Sequence, residues 1–385
     1  MKILIVGDAG SVFIKQFIEY VLLDNSKNTI VLLSEYSINE DYRKFYEENG
    51  VLIEPLIISK NRFLSSIPKL RSSYGNVLWC DYIRKKYAFF DLIHVHGLNC
   101  SRGNIGIYLK NITKKLVITV WGDEIFRKTK GTLKAYQKYY NRADVITLST
   151  TDMYKAFCAA YGDKYNHKIS MNKFAIGLLD TIDYLKKEKS RKDLCLEFGI
   201  LDPSKKIVFV GHNGREAQRH IEITRALKML PVKVRKEITL LYTMTYGVKN
   251  EAYMRTLQTE IDCLGCDYVI LREFLNEEKT AKLRCVCDVM LHAQKTDAFS
   301  ASLMESLYAG AIIINGSWLI YNDLPQSRNR FVEYDTLEEL PVKLVDVLDN
   351  FEGYKNRFID NQEIIRSICS REYTTRDWKK TLSLE

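Results

Sequence analysis

The segment from Gln294 to Glu305 sets two carboxylates, Asp297 and Glu305, on either side of a run of small residues, Ser300, Ala301 and Ser302. Small side chains let backbone N–H groups come close to a ligand. The same residues, with Leu303, open a helix that ends at Gly310. The start of a helix carries unpaired N–H groups and a positive dipole, which together favour anions. Asp297 precedes that helix and Phe299 lies in the turn. Glu305 follows within the first turns, where a carboxylate can accept hydrogen bonds from a diol. A plain strand, turn and helix with a capping serine fits these residues equally well.

A second constellation runs from Gly211 to His220, reading Gly-His-Asn-Gly-Arg-Glu-Ala-Gln-Arg-His after an apolar strand. Strand, glycine loop and helix form a phosphate cradle, with Arg215, Arg219 and His220 available to neutralise a diphosphate. The sequence leaves open which of the three does so. Tyr246 stands in the loop ending the next strand, and Phe274 in the one after that. In the first half, Gly7-Asp8-Ala9-Gly10-Ser11 lacks the dinucleotide fingerprint Gly-x-Gly-x-x-Gly, so a nicotinamide site gains no support. His94 and His96 are two apart and share one face of a strand. Asp123 and Glu124 follow another strand, with Arg127 and Lys128 beside them. Cys263, Cys266, Cys285 and Cys287 could supply four thiolates to zinc. The stretch Leu283–Leu291, however, reads as a helix end entering a buried strand and points its two cysteines apart, so reduced buried thiols are expected.

These residues sit at the ends of short apolar runs that alternate with amphipathic stretches of helical length. Strands are expected at Ile3–Val6, Thr29–Leu33, Leu92–Val95, Leu116–Val120 and Val145–Leu148. After the charged stretch Lys186–Lys192 a second series follows, at Lys206–Val210, Ile238–Tyr242, Tyr268–Leu271, Asp288–Leu291 and Ala311–Ile314. Apolar strands alternating with helices imply parallel sheets covered on both faces. The expected architecture is α/β, with two doubly wound Rossmann-like domains, 1–180 and 181–370, joined near residue 185. A tail, 371–385, packs back through Tyr373, Trp378 and Leu382. In such sheets ligands bind beyond the carboxyl ends of the strands, so a cleft between the domains is the expected site.

Of 385 residues, 46% are hydrophobic and 27% charged, a globular composition. The net charge is +9, and residues 1–180, with 26 Lys and Arg against 17 Asp and Glu, carry all of it. Arg84-Lys85-Lys86 and Lys114-Lys115 are among the densest clusters. A basic surface attracts anionic lipid or phosphorylated substrates. No apolar run approaches the roughly 18 residues of a membrane span, and no signal-peptide cleavage site follows Met1–Val6. The cysteines are scattered. A cytoplasmic protein is expected, peripheral at the inner face of the cell membrane.

The Asp297–Glu305 segment resembles the Glu-x7-Glu signature of retaining GT-B glycosyltransferases, especially glycosyltransferase family 4. Asp297 stands for the first Glu, Phe299 matches, Ser300 replaces a Gly, Glu305 is the second Glu, and Gly310 closes the helix. The loop Gly211–Gly214 and Asn250-Glu251-Ala252-Tyr253 are similar to bacterial fucosaminyltransferases of surface-polysaccharide assembly. Asp91-Leu92-Ile93-His94-Val95-His96 resembles a strand end common in family 4. Trp121 stands where many relatives carry a His. The resemblance implies a GT-B fold and a nucleotide-sugar donor, UDP-linked, as substrate. Donor contacts would come from Gly10, Arg215, Arg219, His220, Tyr246, Phe274, Phe299, Ser300, Ala301, Ser302, Leu303 and Glu305. The acceptor, a glycan or lipid-linked glycan, would meet His94, His96 and Glu124. Asp297 and Asp123 are the carboxylates expected to take part in the chemistry. No Asp-x-Asp motif is present, so no metal and no cofactor is required, and no nucleic-acid partner is expected. A nucleotide-sugar epimerase on the same fold and a non-catalytic binding protein are the alternatives.

Overall fold

The computed structural model describes residues 1–34, 38–55, 68–248 and 250–384. The chain forms two compact units, Met1–Ala175 with Arg371–Glu385, and Ile176–Ser370. In the first, seven strands run parallel among the described residues: β1 (Lys2–Gly7), β2 (Thr29–Ser34), β3 (Leu52–Pro55), β4 (Phe90–His96), β5 (Thr113–Thr119), β6 (Val145–Leu148) and β7 (Ile169–Met171). Their order is β3-β2-β1-β4-β5-β6-β7. The second unit holds β8 (Lys206–Val210), β9 (Ile238–Thr243), β10 (Asp267–Leu271), β11 (Val289–His292), β12 (Ile312–Gly316) and β13 (Val332–Tyr334), also parallel, in the order β10-β9-β8-β11-β12-β13. Both are doubly wound sheets, the α/β architecture expected from the alternation. The strand order reverses between β1 and β4, and again between β8 and β11. Doubly wound sheets bind ligands at such reversals, beyond the strand ends.

The period of two along each strand feeds two cores per sheet. In β8, Val208 and Val210 pack with Ile223, Leu227 and Leu257 on one face. Ile207 and Phe209 pack with Leu194, Ala281 and Met290 on the other. Three strands escape the sequence reading, β3, β7 and β13, and all three lie at sheet edges. Edge strands are half-covered, and their apolar runs are correspondingly short. Leu52 in β3 is 46% exposed.

The charged stretch Lys186–Lys192 is not a linker. The chain enters the second unit earlier, at Ile176, and the stretch ends one helix, Leu179–Glu188, and begins another, Arg191–Glu197, capped by the Ser190 side chain. Leu179, Ile182 and Leu185 bury one face of the first helix, while the lysines follow on its outer turn. The tail forms the helix Arg371–Leu382 in the first unit. Trp378 and Leu382 are buried and Trp378 Nε1 donates to the Lys173 carbonyl at 2.8 Å. Tyr373, expected to pack inward, is 41% exposed. No helix among the described residues is long and apolar enough to cross a membrane.

Candidate functional site

In the second unit the loop after β8 is shaped by glycine. Gly211 has φ +68°, and a Cβ there would stand 2.9 Å from His220 Nε2. The Gly214 amide donates to the Tyr246 carbonyl at 2.8 Å, and a Cβ on Gly214 would lie 2.3 Å from Val248. Gly247, at φ +84°, leaves room for the Arg215 side chain, which a Cβ would meet at 2.6 Å. The loops after β8 and β9 therefore interlock, and Arg215 lies over their junction.

Arg219 adopts the left-handed conformation, φ 62° and ψ 38°, directly before the helix His220–Leu227. A non-glycine residue there is strained by roughly 1–2 kcal/mol. Its Nε makes no hydrogen bond, and Glu222 lies 3.9 Å away. His220 is buried, with Nδ1 3.1 Å from the Tyr253 hydroxyl and Nε2 unpartnered. Burial lowers its pKa to about 4. It is neutral at pH 7 and offers a hydrogen bond, not the positive charge expected of it. Tyr246 leaves half its surface exposed. Desolvation of its hydroxyl raises its pKa, against the pull of Arg284 and Arg215.

After β11 the chain turns on Asp297. One carboxylate oxygen accepts from the Ala298 amide at 3.0 Å, the other from the Ser300 amide at 3.2 Å and the Tyr321 hydroxyl at 2.8 Å. Ser300 then precedes the helix Ala301–Tyr308 without capping it. Its Oγ lies 3.4 Å from His212 Nε2 instead. Among the described residues, no side chain caps the first amides, those of Ala301, Ser302 and Leu303. Leu303 itself is wholly buried, so only its backbone can face a ligand, and Phe299 packs with Tyr321 on the core. Glu305 is 8% exposed and accepts from Arg284 Nε at 3.0 Å. Phe274 is 60% exposed in the loop after β10, where Asn276 caps the next helix.

The first unit is different. Gly10 donates its amide to Asp8 Oδ1 at 3.0 Å, so that N–H is already used. His94 and His96 are sealed inside, their rings 3.8 Å apart and enclosed by Phe17, Phe174 and Trp378. Desolvation alone lowers His94 to about 3, and desolvation, with His94 and Arg102 adding to it, lowers His96 further below its ordinary value. His94 Nε2 pairs with Thr119 at 2.7 Å, whereas neither nitrogen of His96 has a partner. Neither ring reaches an acceptor, contrary to the expectation from their shared strand face. Asp123 is exposed and pairs with Lys128. Glu124 is buried, accepts from the Trp121 amide at 2.6 Å, and is pushed up to about 8 by burial, against the pull of that amide.

The expected site residues of the second unit thus gather around one reversal point, apart from Phe274, which stands on the loop of the edge strand β10. Those of the first divide between the short helix Gly122–Phe126, which exposes Asp123 and buries Glu124, and the interior. Sequence reasoning missed Arg284, His212, Gln294 and Tyr321. Only spacing from the strand end marks His212 and Gln294, and nothing in the sequence marks Arg284, which is buried from the last turn of the helix Glu277–Val286.

No family model and no curated protein matches the sequence. Solved structures do match. HepE of Anabaena in complex with UDP-glucose superposes over 100% of both chains with TM-score 0.72 and 15% identity. A glycosyltransferase from Rickettsia africae ESF-5 gives 0.74 and 14%, over 100% of this chain and 99% of the other. UDP-GlcNAc 2-epimerase from Neisseria meningitidis, bound to UDP-GlcNAc, gives 0.64 and 11% over 100% of both. The likeness is one of fold.

Proposed function

We propose that this chain is a retaining glycosyltransferase, moving a hexose from a UDP-sugar to a glycan or lipid-linked acceptor in surface-polysaccharide synthesis. One observation carries the reading. The uncapped helix start at Ala301 and the loop that carries Arg215 and Arg219 stand beyond the same β8–β11 reversal, so backbone N–H groups and two guanidinium groups are on hand for a diphosphate bound there. The UDP-glucose complex of HepE supports the choice of nucleotide.

When the sugar–phosphate bond breaks, negative charge develops on the leaving diphosphate. Pre-placed guanidinium groups and a helix dipole stabilise that charge without reorganising, and no metal is called for in this scheme. His220 adds a neutral hydrogen bond. Asp297 stands beside the sugar, opposite the oxocarbenium-like carbon, and the three hydrogen bonds that occupy its lone pairs make it a weak nucleophile. Asp123 is the second carboxylate, on the acceptor side. Glu124, titrating near 8, can exchange a proton with an acceptor hydroxyl. Phe274 offers an exposed ring for the base. The enzyme would work in the cytoplasm at the inner membrane face.

The likeness to the 2-epimerase favours a second reading, in which the donor is converted without an acceptor. Incubating the full chain with UDP-sugars separates the two. UDP released only when a glycan acceptor is added supports transfer. Donor isomerised or hydrolysed without acceptor supports the epimerase, and binding without turnover leaves a non-catalytic protein.

A further inference from the structure

The helix Glu277–Val286 turns one charged side chain inward. Arg284 is 4% exposed, its Nε donates to Glu305 at 3.0 Å, and its Nη1 is buried without a hydrogen-bond partner. A guanidinium taken out of water recovers that cost only when its geometry is good and every N–H is matched. Here the two N–H groups of Nη1 are unmatched. Two apolar side chains of similar volume would hold these helices at least as well, so packing does not account for the pair.

Glu305 explains it better. Its Oε2 takes the Arg284 bond, while Oε1 has no partner and is not among the sealed atoms, so it keeps a path to solvent. Glu305 acts electrostatically on the Tyr246 hydroxyl, as Arg284 and Arg215 do. The arrangement is a carboxylate braced from behind and free in front. A free carboxylate oxygen only accepts hydrogen bonds. It therefore suits a hydroxyl rather than a phosphate.

We infer that Arg284 is a positioning residue of the donor site: through Nε it fixes the Glu305 carboxylate so that Oε1 accepts from a ribose hydroxyl of the bound nucleotide. This rests on the donor reading above. Arginine is needed because its planar Nε–H sets the carboxylate's orientation, whereas a lysine ammonium supplies charge without direction.

Calorimetry of the full chain with UDP and with 2′,3′-dideoxy-UDP tests the inference. Wild type should prefer UDP at least tenfold. Arg284→Lys, which keeps a cation and guards against misfolding, should cut that preference to below threefold while binding dideoxy-UDP within twofold of wild type. Glu305→Gln should do the same, and the two changes together should cost no more than either alone. An Arg284→Lys protein that keeps the tenfold preference, or that loses both ligands equally, makes Arg284 merely structural and overturns the inference. Wild type that binds UDP without preference also overturns it and leaves the donor reading intact. Wild type that binds neither ligand removes the donor reading itself.

Discussion

The two units share a topology and treat its reversal point in opposite ways. In the first, the space beyond β1 and β4 is filled from within. Phe17, Phe174 and the returning Trp378 close over His94 and His96, and the rings meet edge-on or tilted at 4.8–6.3 Å. In the second, the space beyond β8 and β11 is lined by Gly211, Gly214 and the small residues Ser300–Ser302. Around it stand polar atoms whose bonding capacity is unused, on His212, His220 and Arg219. Burying a polar atom without a partner is costly. Together with the backbone amides at the start of the helix Ala301–Tyr308, such atoms support the donor site proposed above. The histidines show that residue type alone does not. His96 is less partnered than His220, but aromatic rings wall it in.

Emptying the filled end should produce the largest effect. Trp378→Ala removes a buried indole and its bond to Lys173, and should lower stability by about 3–5 kcal/mol in urea unfolding. UDP affinity, measured at a temperature where the variant is folded, should stay within twofold. A tenfold loss of affinity would make the contrast between the two ends false. Next comes the open end. Arg215→Ala with Arg219→Ala removes two charge-assisted contacts worth about 1.5–3 kcal/mol each. Transfer should slow by about 100-fold or more, while uridine binds nearly as before. Normal turnover would send the search for the diphosphate cation to Lys295, which is exposed beside the same turn.

The strands that frame both ends were legible because their apolar runs are continuous. Lys206–Val210 and Val145–Leu148 match the structure residue for residue. What failed to show was any feature set by a partner distant in sequence. That the tail packs through Trp378 and Leu382 was legible, but not which unit it joins, because Trp378 is held by Lys173 and Phe17. Glu54, in the edge strand β3, is buried by Lys86, Tyr82 and Tyr87, which donate to it from one helix. Burial alone would raise its pKa, yet those bonds hold the carboxyl below the ordinary value. In the site, the glycines and the small run Ser300–Ser302 were readable from local chemistry. The neutrality of His220 was not, because desolvation depends on what packs around the ring.

A smaller effect should come from the short helix Gly122–Phe126 of the first unit, which buries a carboxylate. Glu124 has its pKa raised to about 8, chiefly by burial, from an ordinary value of 4.5. A carboxyl with a raised folded pKa contributes stability that is full below the unfolded value and is lost as pH climbs through the folded one. Wild type should therefore lose stability between about pH 4.5 and 8 relative to Glu124→Gln, whose amide oxygen can still accept from Trp121. The gap should be near zero at pH 4 and reach at least about 2 kcal/mol by pH 9, since each tenfold change in proton affinity is worth ~1.4 kcal/mol. Parallel stability curves would mean that Glu124 ionises freely, and its proposed part in proton exchange would go with them.

The smallest effect concerns the basic excess. The clusters that stand out in the sequence are partly spent inside the first unit. Lys86 holds Glu54, and Lys115 donates to the Thr381 carbonyl at the end of the tail helix. Replacing Arg84, Lys85 and Lys86 together would thus strand a buried carboxylate and mix stability with surface charge. A cleaner surface is the helix Lys130–Arg142, where Lys130, Lys134 and Lys138 are exposed four residues apart and so line one face. A lysine near an anionic leaflet is worth about 1 kcal/mol, so Lys134→Ser should weaken co-sedimentation with phosphatidylserine vesicles by about fivefold at low salt. Added salt should erase the difference, because it screens charges at about 10 Å. Wild type that binds neutral vesicles equally well, or binds none, would remove the membrane from the proposal. A soluble glycan would then be the acceptor to pursue.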